Sequence, residues 1–492
     1  MRRILIIPIL LLLGSLTTWA QYGNEWINYD QLYWKLKVVE DGLYRVTAGE
    51  LAAQGFPVSQ VSAENIKVYH NGEEVAVLVS PSTGALDQLE FYGVRNDGEI
   101  DAPLYTSAEA QPHQLYSLFT DTSTYFLTYE IAGTPGKRIS LSTDNDNSGL
   151  VPDSFHWADT TNLQTTNYAT GFQYGDQLLA QWDMGEGWTG PDLARGASVT
   201  YDLTLNDPVS TGPNPLLEMV MLGRNSLGHV VEISAGPDDS NLRVVATTDT
   251  MNFSNRTSLL LSTEIDWSDV SAGGELVVQA DVLGRSGAQD RIAISYVQVA
   301  YPQDLDFDGG QEHMQLATSS GGRSYLRISA ANPSAIRSFD ITDPANVVRI
   351  LANALSDRIE IVVNGTSSEK TLLLTEDLKT VSSIEGLAFE EIDLSTANYL
   401  ILTHPDLRRA DSVANADPVA DYATYRRSEA GGSYDAVVAN IQEVYDQFGY
   451  GVPTPLAVRN LVQMGFETGN LRSMFIVGRG RTVNSDFYRQ RD

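Results

Sequence analysis

Three carboxylates stand at every second position in Asp304-Leu305-Asp306-Phe307-Asp308-Gly309. Calcium loops use this spacing because alternate side chains turn toward one hard cation. The twelfth position of such a loop would be Gln315 and not a bidentate Glu, and the flanks read as strand, so a solvated turn is the expectation. Asp144-Asn145-Asp146-Asn147-Ser148-Gly149 is a weaker instance of the same pattern. The histidines are His70, His113, His156, His229, His313 and His404, and no two stand at zinc-ligand spacing. His404 follows the apolar run Tyr399–Thr403, at what would be the C-terminal end of a parallel strand, where α/β enzymes place their sites. Pro405 follows it directly, and a structural, helix-entry role is the expectation. Gly478-Arg479-Gly480-Arg481 has neither phosphate-loop spacing and reads as a strand-to-loop exit. No G-x-S-x-G elbow occurs in the α/β part. The sequence contains no cysteine, which excludes disulfides, thiolate metal sites, acylation at a cysteine and a thiol nucleophile within these residues. No catalytic, cofactor-binding or metal-ligating residue is assigned from the residues alone, and no cofactor is expected.

The elements that would position any site belong to a chain of 492 residues, long enough for about three domains. Apolar residues make up 42%, so sizeable cores are expected. Sixty-three acidic residues against 32 basic ones give a formal charge of −31. Such a surface repels a phosphate backbone, which argues against nucleic acid as a partner. Met1-Arg2-Arg3, the uncharged run Ile4–Leu13 and the small residues Thr18 and Ala20 around Trp19 form a signal-peptide pattern with cleavage expected before Gln21. Ten apolar residues rise about 15 Å as a helix, half a bilayer core, so a membrane anchor is the weaker reading. The expectation is an exported protein with no transmembrane helix after signal removal, located in the periplasm, at the outer-membrane surface or outside the cell.

Between residues 21 and 140 short alternating runs predict a small β domain. Tyr33–Val39 is expected to turn at Glu40-Asp41-Gly42 as a hairpin into Leu43–Val46, and Asn65–Tyr69 to turn at Asn71-Gly72 into Val75–Val79. Ala48–Gln54 reads as a short helix and Leu89–Gly93 as a strand. Leu141–Asp153 reads as a linker or long loop. Strand-like runs at 198–205, 216–222, 230–233, 242–246, 275–280 and 292–299 predict a β-sandwich or jelly roll over 150–302. A β-rich connecting region is expected over 303–395. From 396 to 492 the pattern becomes strand, helix, strand, helix, strand: Tyr399–Thr403, Leu407–Arg427 interrupted by Pro418, Tyr434–Val438, Ile441–Phe448, Pro455–Glu467 and Met474–Val477. That is parallel α/β winding. In the last long helix Leu456, Asn460 and Gln463 fall along one side. The set ends soon after its third strand and reads as an incomplete domain.

Five segments in this order resemble the C25 (gingipain-type) cysteine peptidase family, and within it the sortase-like, PorU-like members of the Bacteroidetes type IX secretion system. They are Asp41–Val46 with Glu50-Leu51 and Gly55, Leu89–Asp101 with Leu104-Tyr105, Tyr399–Pro405, Val444–Gly451 with Ala457–Asn460, and Met474–Gly480. The resemblance implies β-rich N-terminal domains leading into the first half of a caspase-like α/β peptidase domain, a peptide or protein substrate, and the secretion machinery at the outer membrane as partner. It implies a catalytic His/Cys dyad beyond the Met474–Gly480 segment, which no position here can carry. His404 matches a position in the first half of that domain.

Two accounts follow. In the first, these residues are the N-terminal part of an exported C25-like peptidase, inactive as they stand, whose reading frame is interrupted before the nucleophile. In the second, the β domains act as a secreted, non-catalytic binding or scaffold module. A parallel sheet left with an unpaired edge is an aggregation hazard, and this favours the first account.

Overall fold

In the computed structural model the described residues are 22–130, 134–171, 173–174, 177–178, 181–284, 289–410 and 416–479. The expected signal peptide lies outside them.

The N-terminal part is two facing sheets. A five-stranded sheet runs in the order Ile384–Ala388, Leu32–Val38, Ser123–Tyr129, Ile66–His70 and Glu73–Val75. A three-stranded sheet runs Gly42–Thr47, Gln88–Gly93 and Val77–Ser80. Period-two alternation turns Trp34, Leu36 and Val38 inward against Tyr44, Val46, Leu89 and Phe91. Tyr44 and Phe91 stack with centroids 5.8 Å apart.

The expected hairpin at Glu40–Gly42 does not form. Leu32–Val38 pairs with 384–388 and 123–129, whereas Gly42–Thr47 pairs with 88–93, so the turn is a corner between sheets. The Tyr44 hydroxyl donates to the Glu40 carbonyl across it at 2.8 Å, and a Cβ on Gly42 would lie 2.5 Å from Gln311 Oε1. The Asn71-Gly72 turn does close a short hairpin, with φ of +47° and +84°, the two-residue type whose twist suits paired strands. Beyond Val75 the chain leaves that hairpin, and Val77–Ser80 joins the other sheet.

A ten-stranded sheet forms the middle of the molecule, in the order 258–264, 216–223, 291–303, 156–163, 311–316, 370–375, 337–340, 348–350 and 140–142, with 193–194 on the 291–303 strand. One half is covered by the sheet 198–204, 275–282, 231–236 and 243–247, over a core that includes Leu217, Met219, Val297, Ile233 and Val278. The other half is covered by the sheet 306–307, 323–330, 358–364 and 353–354, over Phe307, Met314, Leu326, Ile361 and Leu372. The shared sheet runs through residue 303, where Gln303 pairs with His156 and Gln315 with Trp157. The expected 141–153 linker is tied down. Ser140–Ser142 is a strand parallel to 348–350, and Asp144 Oδ2 accepts from Arg323 and Asn364 at 2.9 Å each.

The last domain is a parallel three-stranded sheet with Tyr399–Thr403 at its centre, Ala436–Asn440 on one side and Ser473–Val477 on the other. The central strand is buried on both faces, as its unbroken apolar run requires. We name the helices α1 (Ala48–Ala53), α2 (Pro418–Arg427), α3 (Ile441–Phe448) and α4 (Pro455–Thr468). α3 and α4 pack on one face through Val444, Phe448, Ala457 and Leu461, and α2 on the other through Val419 and Ala423. Pro418 does not interrupt a helix but starts one. It occupies the first turn of α2, where its missing N–H costs nothing, and Asp417 caps the end by accepting from the Val419 and Ala420 amides.

The N-terminal sheet is keyed to this domain at the end of α3. Lys35 Nζ lies 3.3 Å from Asp446, Tyr29 donates to Gln447 at 3.1 Å, and Gln447 donates to the Glu390 carbonyl at 2.9 Å. Gly451 then turns with φ of +78°, and a Cβ there would lie 2.6 Å from Thr124 Oγ1. Gly451→Ala is expected to cost about 1–2 kcal/mol for the left-handed φ and a similar amount for the contact. Gly196→Ala, at φ of +83° with nothing within 4 Å, should show the first cost alone. Thermal unfolding midpoints of the two variants check this, and equal shifts would mean that the interface is not tightly packed at Gly451.

Candidate functional site

The parallel register places Thr403 opposite both Asn440 and Val477, so the C-terminal ends of the three strands form one crest carrying His404, Asn440 and Gly478. His404 Nδ1 accepts from the Asp406 amide at 3.2 Å and caps the turn Pro405–Arg408, the helix-entry role expected of it. Its Nε2 lies 3.4 Å from Gln442 Nε2, and Asn440 Oδ1 accepts from the Gln442 amide at 3.0 Å. The hydroxyl of the preceding residue, Thr403, donates to the His404 carbonyl at 3.4 Å. The crest thus holds an exposed imidazole and no side chain placed for nucleophilic attack among the described residues. Gly478 takes φ of +143°, and Gly480 and Arg481 lie outside the described residues.

The fold brings histidines to polar partners that no sequence spacing announced. His113 Nε2 lies 2.9 Å from Ser295 Oγ, which resembles half of a hydrolytic triad. The hydrogen-bond directions run the other way. Ser295 gives its proton to the Trp188 carbonyl at 2.6 Å, and His113 Nδ1 accepts from the Leu115 amide at 3.1 Å, so Nε2 carries a proton and donates to the serine. A base that donates to its nucleophile cannot activate it. Burial pushes the His113 pKa down to about 4, which keeps that neutral tautomer.

His229 and Asp290 form a buried pair in the sandwich core. Nδ1 faces Asp290 Oδ1, Nε2 faces the Asn255 carbonyl at 2.8 Å, and Asp290 Oδ2 accepts from the Val230 amide at 3.2 Å. Every polar atom of the pair is used in holding three loops together. His70 and His313 also lie in the β domains. His70 stacks on Tyr125 at 4.2 Å, and burial brings its pKa to about 4. His313 Nε2 meets the Tyr92 hydroxyl at 3.0 Å.

The Asp304–Asp308 run is a strand edge. Leu305 and Phe307 point into the core while Asp304, Asp306 and Asp308 stay exposed, and Asp306-Phe307 pairs in parallel with Ser329-Ala330. Among the described residues no three His, Asp or Glu side chains converge on a point that could hold a metal ion. The consequence of the negative cluster falls on Glu312. Burial first, then Asp308, Asp306 and Asp207, push its carboxyl up to about 7. Its Oε1 is buried without a hydrogen-bond partner, 3.6 Å from the equally unpartnered His156 Nε2. Burial lowers the His156 pKa, so burial favours the neutral form of both groups.

A cleft of about 630 Å³ opens between the N-terminal sheet and α4. Leu456, Asn460 and Gln463, the side of α4 singled out by spacing, line it together with His70, Tyr450 and Arg459. Arg459 donates across its rim to the Pro103 carbonyl at 2.7 Å.

Residues 392–488 match the family described as peptidase family C25. The crystal structure of dimeric latent PorU from Porphyromonas gingivalis superposes on 90% of this chain with a TM-score of 0.59 at 18% identity. The chain is PorU-like in fold and C25-like in its last domain. It spans 41% of the length of that PorU chain. A carbohydrate-binding module and a glycoside hydrolase align over parts of the chain. The module CBM36, solved with calcium and xylotriose, covers 29% of this chain at 14% identity and a TM-score of 0.18. A β-porphyranase of glycoside hydrolase family 86 from Bacteroides plebeius covers 56% at 10% identity and a TM-score of 0.17. Superpositions this weak carry no weight for fold or function. No curated protein matches by sequence. Among the described residues no helix is long and apolar enough to cross a membrane.

The raised Glu312 carboxyl makes stability depend on pH. Because the folded state holds this proton more tightly than the ordinary value of 4.5, the contribution is complete below about pH 4.5 and is lost as pH rises through about 7. Glu312→Gln, which mimics the protonated form, is expected to be more stable than the parent by on the order of 2 kcal/mol at pH 8. The two should be equal at pH 4.5. Unfolding midpoints across that range check this, and a pH-independent difference would show that Glu312 does not hold the proton.

Proposed function

We propose that this chain is the N-terminal part of an exported C25-like cysteine-type peptidase that cleaves peptide bonds and processes cargo of a type IX secretion system. One observation carries the reading of an incomplete peptidase sheet. Among the described residues Ser473–Val477 pairs on one edge only, and Met474, Phe475 and Ile476 on it are 41%, 43% and 48% exposed. An open parallel edge with apolar side chains needs a covering element, and a further strand is the element the match to family C25 supports. The first 20 residues support export, and the β domains are then a rigid platform that holds the peptidase sheet through the Lys35–Asp446 contact.

These 492 residues contain no cysteine, so the thiolate that attacks the peptide carbonyl has to come from outside them. His404, bound as a turn cap, has no part in that chemistry. The test has two arms. Coding DNA read through the Asp492 codon should continue in frame into further strands, a histidine and then a cysteine. An immediate stop codon in an independently sequenced isolate would end the peptidase reading for this product. Purified 492-residue protein should show no iodoacetamide-sensitive cleavage of peptide substrates, and such cleavage would overturn the assignment of the nucleophile to residues elsewhere.

A further inference from the structure

Arg426, on the last turn of α2, rests against two aromatic rings. Its guanidinium carbon lies 4.3 Å from the ring centre of Tyr434 and 4.7 Å from that of Tyr399. The two rings are 4.9 Å apart at 49° and touch each other, so the guanidinium caps the pair at the apex of a triangle. The backbone fixes one of the two rings. Tyr434 donates its amide to the Arg426 carbonyl at 3.0 Å, and Gly432, at φ of +102°, passes so close that a Cβ would lie 2.6 Å from the Tyr434 ring. A guanidinium stacked this way keeps its plane, and its two terminal amino groups remain side by side as a fork.

Nothing among the described residues fills that fork. Arg427, the next residue, donates twice to the Ala436 carbonyl at 2.5 and 3.0 Å. Among the described residues Arg426 makes no such bond, no carboxylate lies within ion-pairing distance of it, and its Nε is buried without a partner. An arginine seated on two rings, with no carboxylate partner among the described residues, is a site left open. The surface beside it is aromatic. Tyr422 joins Tyr399 through their hydroxyls at 3.3 Å, Phe475 lies 5.2 Å from Tyr422, and Tyr425 is 51% exposed. Arginine framed by tyrosine is the composition of protein-recognition hot spots.

We propose that the Arg426 guanidinium, seated on Tyr399 and Tyr434, binds a carboxylate of a polypeptide partner, either an acidic side chain or a chain terminus, with the neighbouring residue resting on Tyr422. The planar fork matches the two oxygens of a carboxylate. A doubly charged phosphate suits the fork as well, but the surrounding charge of −31 repels it more strongly than a single negative charge. The aromatic floor also has no use for a bare ion.

The test is titration calorimetry of the full chain at low ionic strength with three short peptides. One has a free C-terminal carboxylate and no acidic side chain, one is amidated with a single internal Glu, and one is amidated without any acid. At least one carboxylate peptide should bind roughly tenfold more tightly than the acid-free one, the change expected for one charge-assisted bond at a partly exposed site. Which of the two binds identifies the source of the carboxylate. Arg426→Lys keeps the charge but loses the fork and should bring that peptide down to the acid-free level. Should this variant fail to fold, Tyr434→Leu, which removes one of the two rings under the guanidinium, should do the same. Equal affinity of all three peptides, no binding, affinity unchanged in a folded variant, or displacement of the peptide by equimolar inorganic phosphate would each overturn the proposal.

Discussion

The contact between Lys35 and Asp446 sets where the last domain stands relative to everything before it. Both side chains are mostly buried, at 17% and 11% exposure, and each belongs to a different body, one to the N-terminal sheet and the other to α3. Burial pushes the Asp446 carboxyl up, and Lys35 and then Lys37 pull it back. Lys35 also lies 3.3 Å from Glu385, so the charges at the seam form a small network and not a lone pair. The neighbouring bonds share the geometry. Lys37 and Thr124 both reach the Gly451 carbonyl, and Tyr29 reaches Gln447. The segment Val444–Gly451, one of those that carry the family resemblance, is therefore an inter-domain key and not a piece of chemistry.

The same distinction separates what the site holds from what it does. A serine beside a histidine and a histidine beside a buried aspartate are both present, and both are structural, because a proton can activate only in one direction. Ser295 is already a donor to Trp188 and an acceptor from His113. His229 spends both ring nitrogens on Asp290 and Asn255. Distance alone would have made either pair a candidate, and the accounting of donors and acceptors removes them.

Much of the fold was legible because its strands carry period two and its central α/β strand carries none. Tyr399–Thr403 declared burial on both faces by lacking a polar residue until its last position. What could not be read was pairing. Glu40–Gly42 has the residues of a hairpin turn, but whether a turn returns the chain to its own sheet depends on which sheet the next strand joins. That is decided by contacts as remote as Gln311 against Gly42. The same applies to Pro418. A proline inside a helical pattern breaks or begins a helix, and Asp417 immediately before it, a strong cap, was the sign that it begins one. The histidine pairings were illegible for the same reason, since 182 residues separate His113 from Ser295.

The Asp304–Asp308 run shows why spacing underdetermines chemistry. A side chain at every second position faces one way in a calcium loop because the loop coils round a cation, and faces one way in a strand because the backbone is pleated. The discriminating information lies in the residues between. Leu305 and Phe307 alternate with the acids and are 6% and 5% exposed, so core burial already fixes this backbone as a strand. A pleated backbone spreads Asp304, Asp306 and Asp308 along an edge instead of converging them. Their mutual repulsion is then relieved by solvent, except where the sheet folds over Glu312. There the field of Asp308, Asp306 and Asp207 acts on a buried group, and a proton takes the place that a cation would hold in a loop.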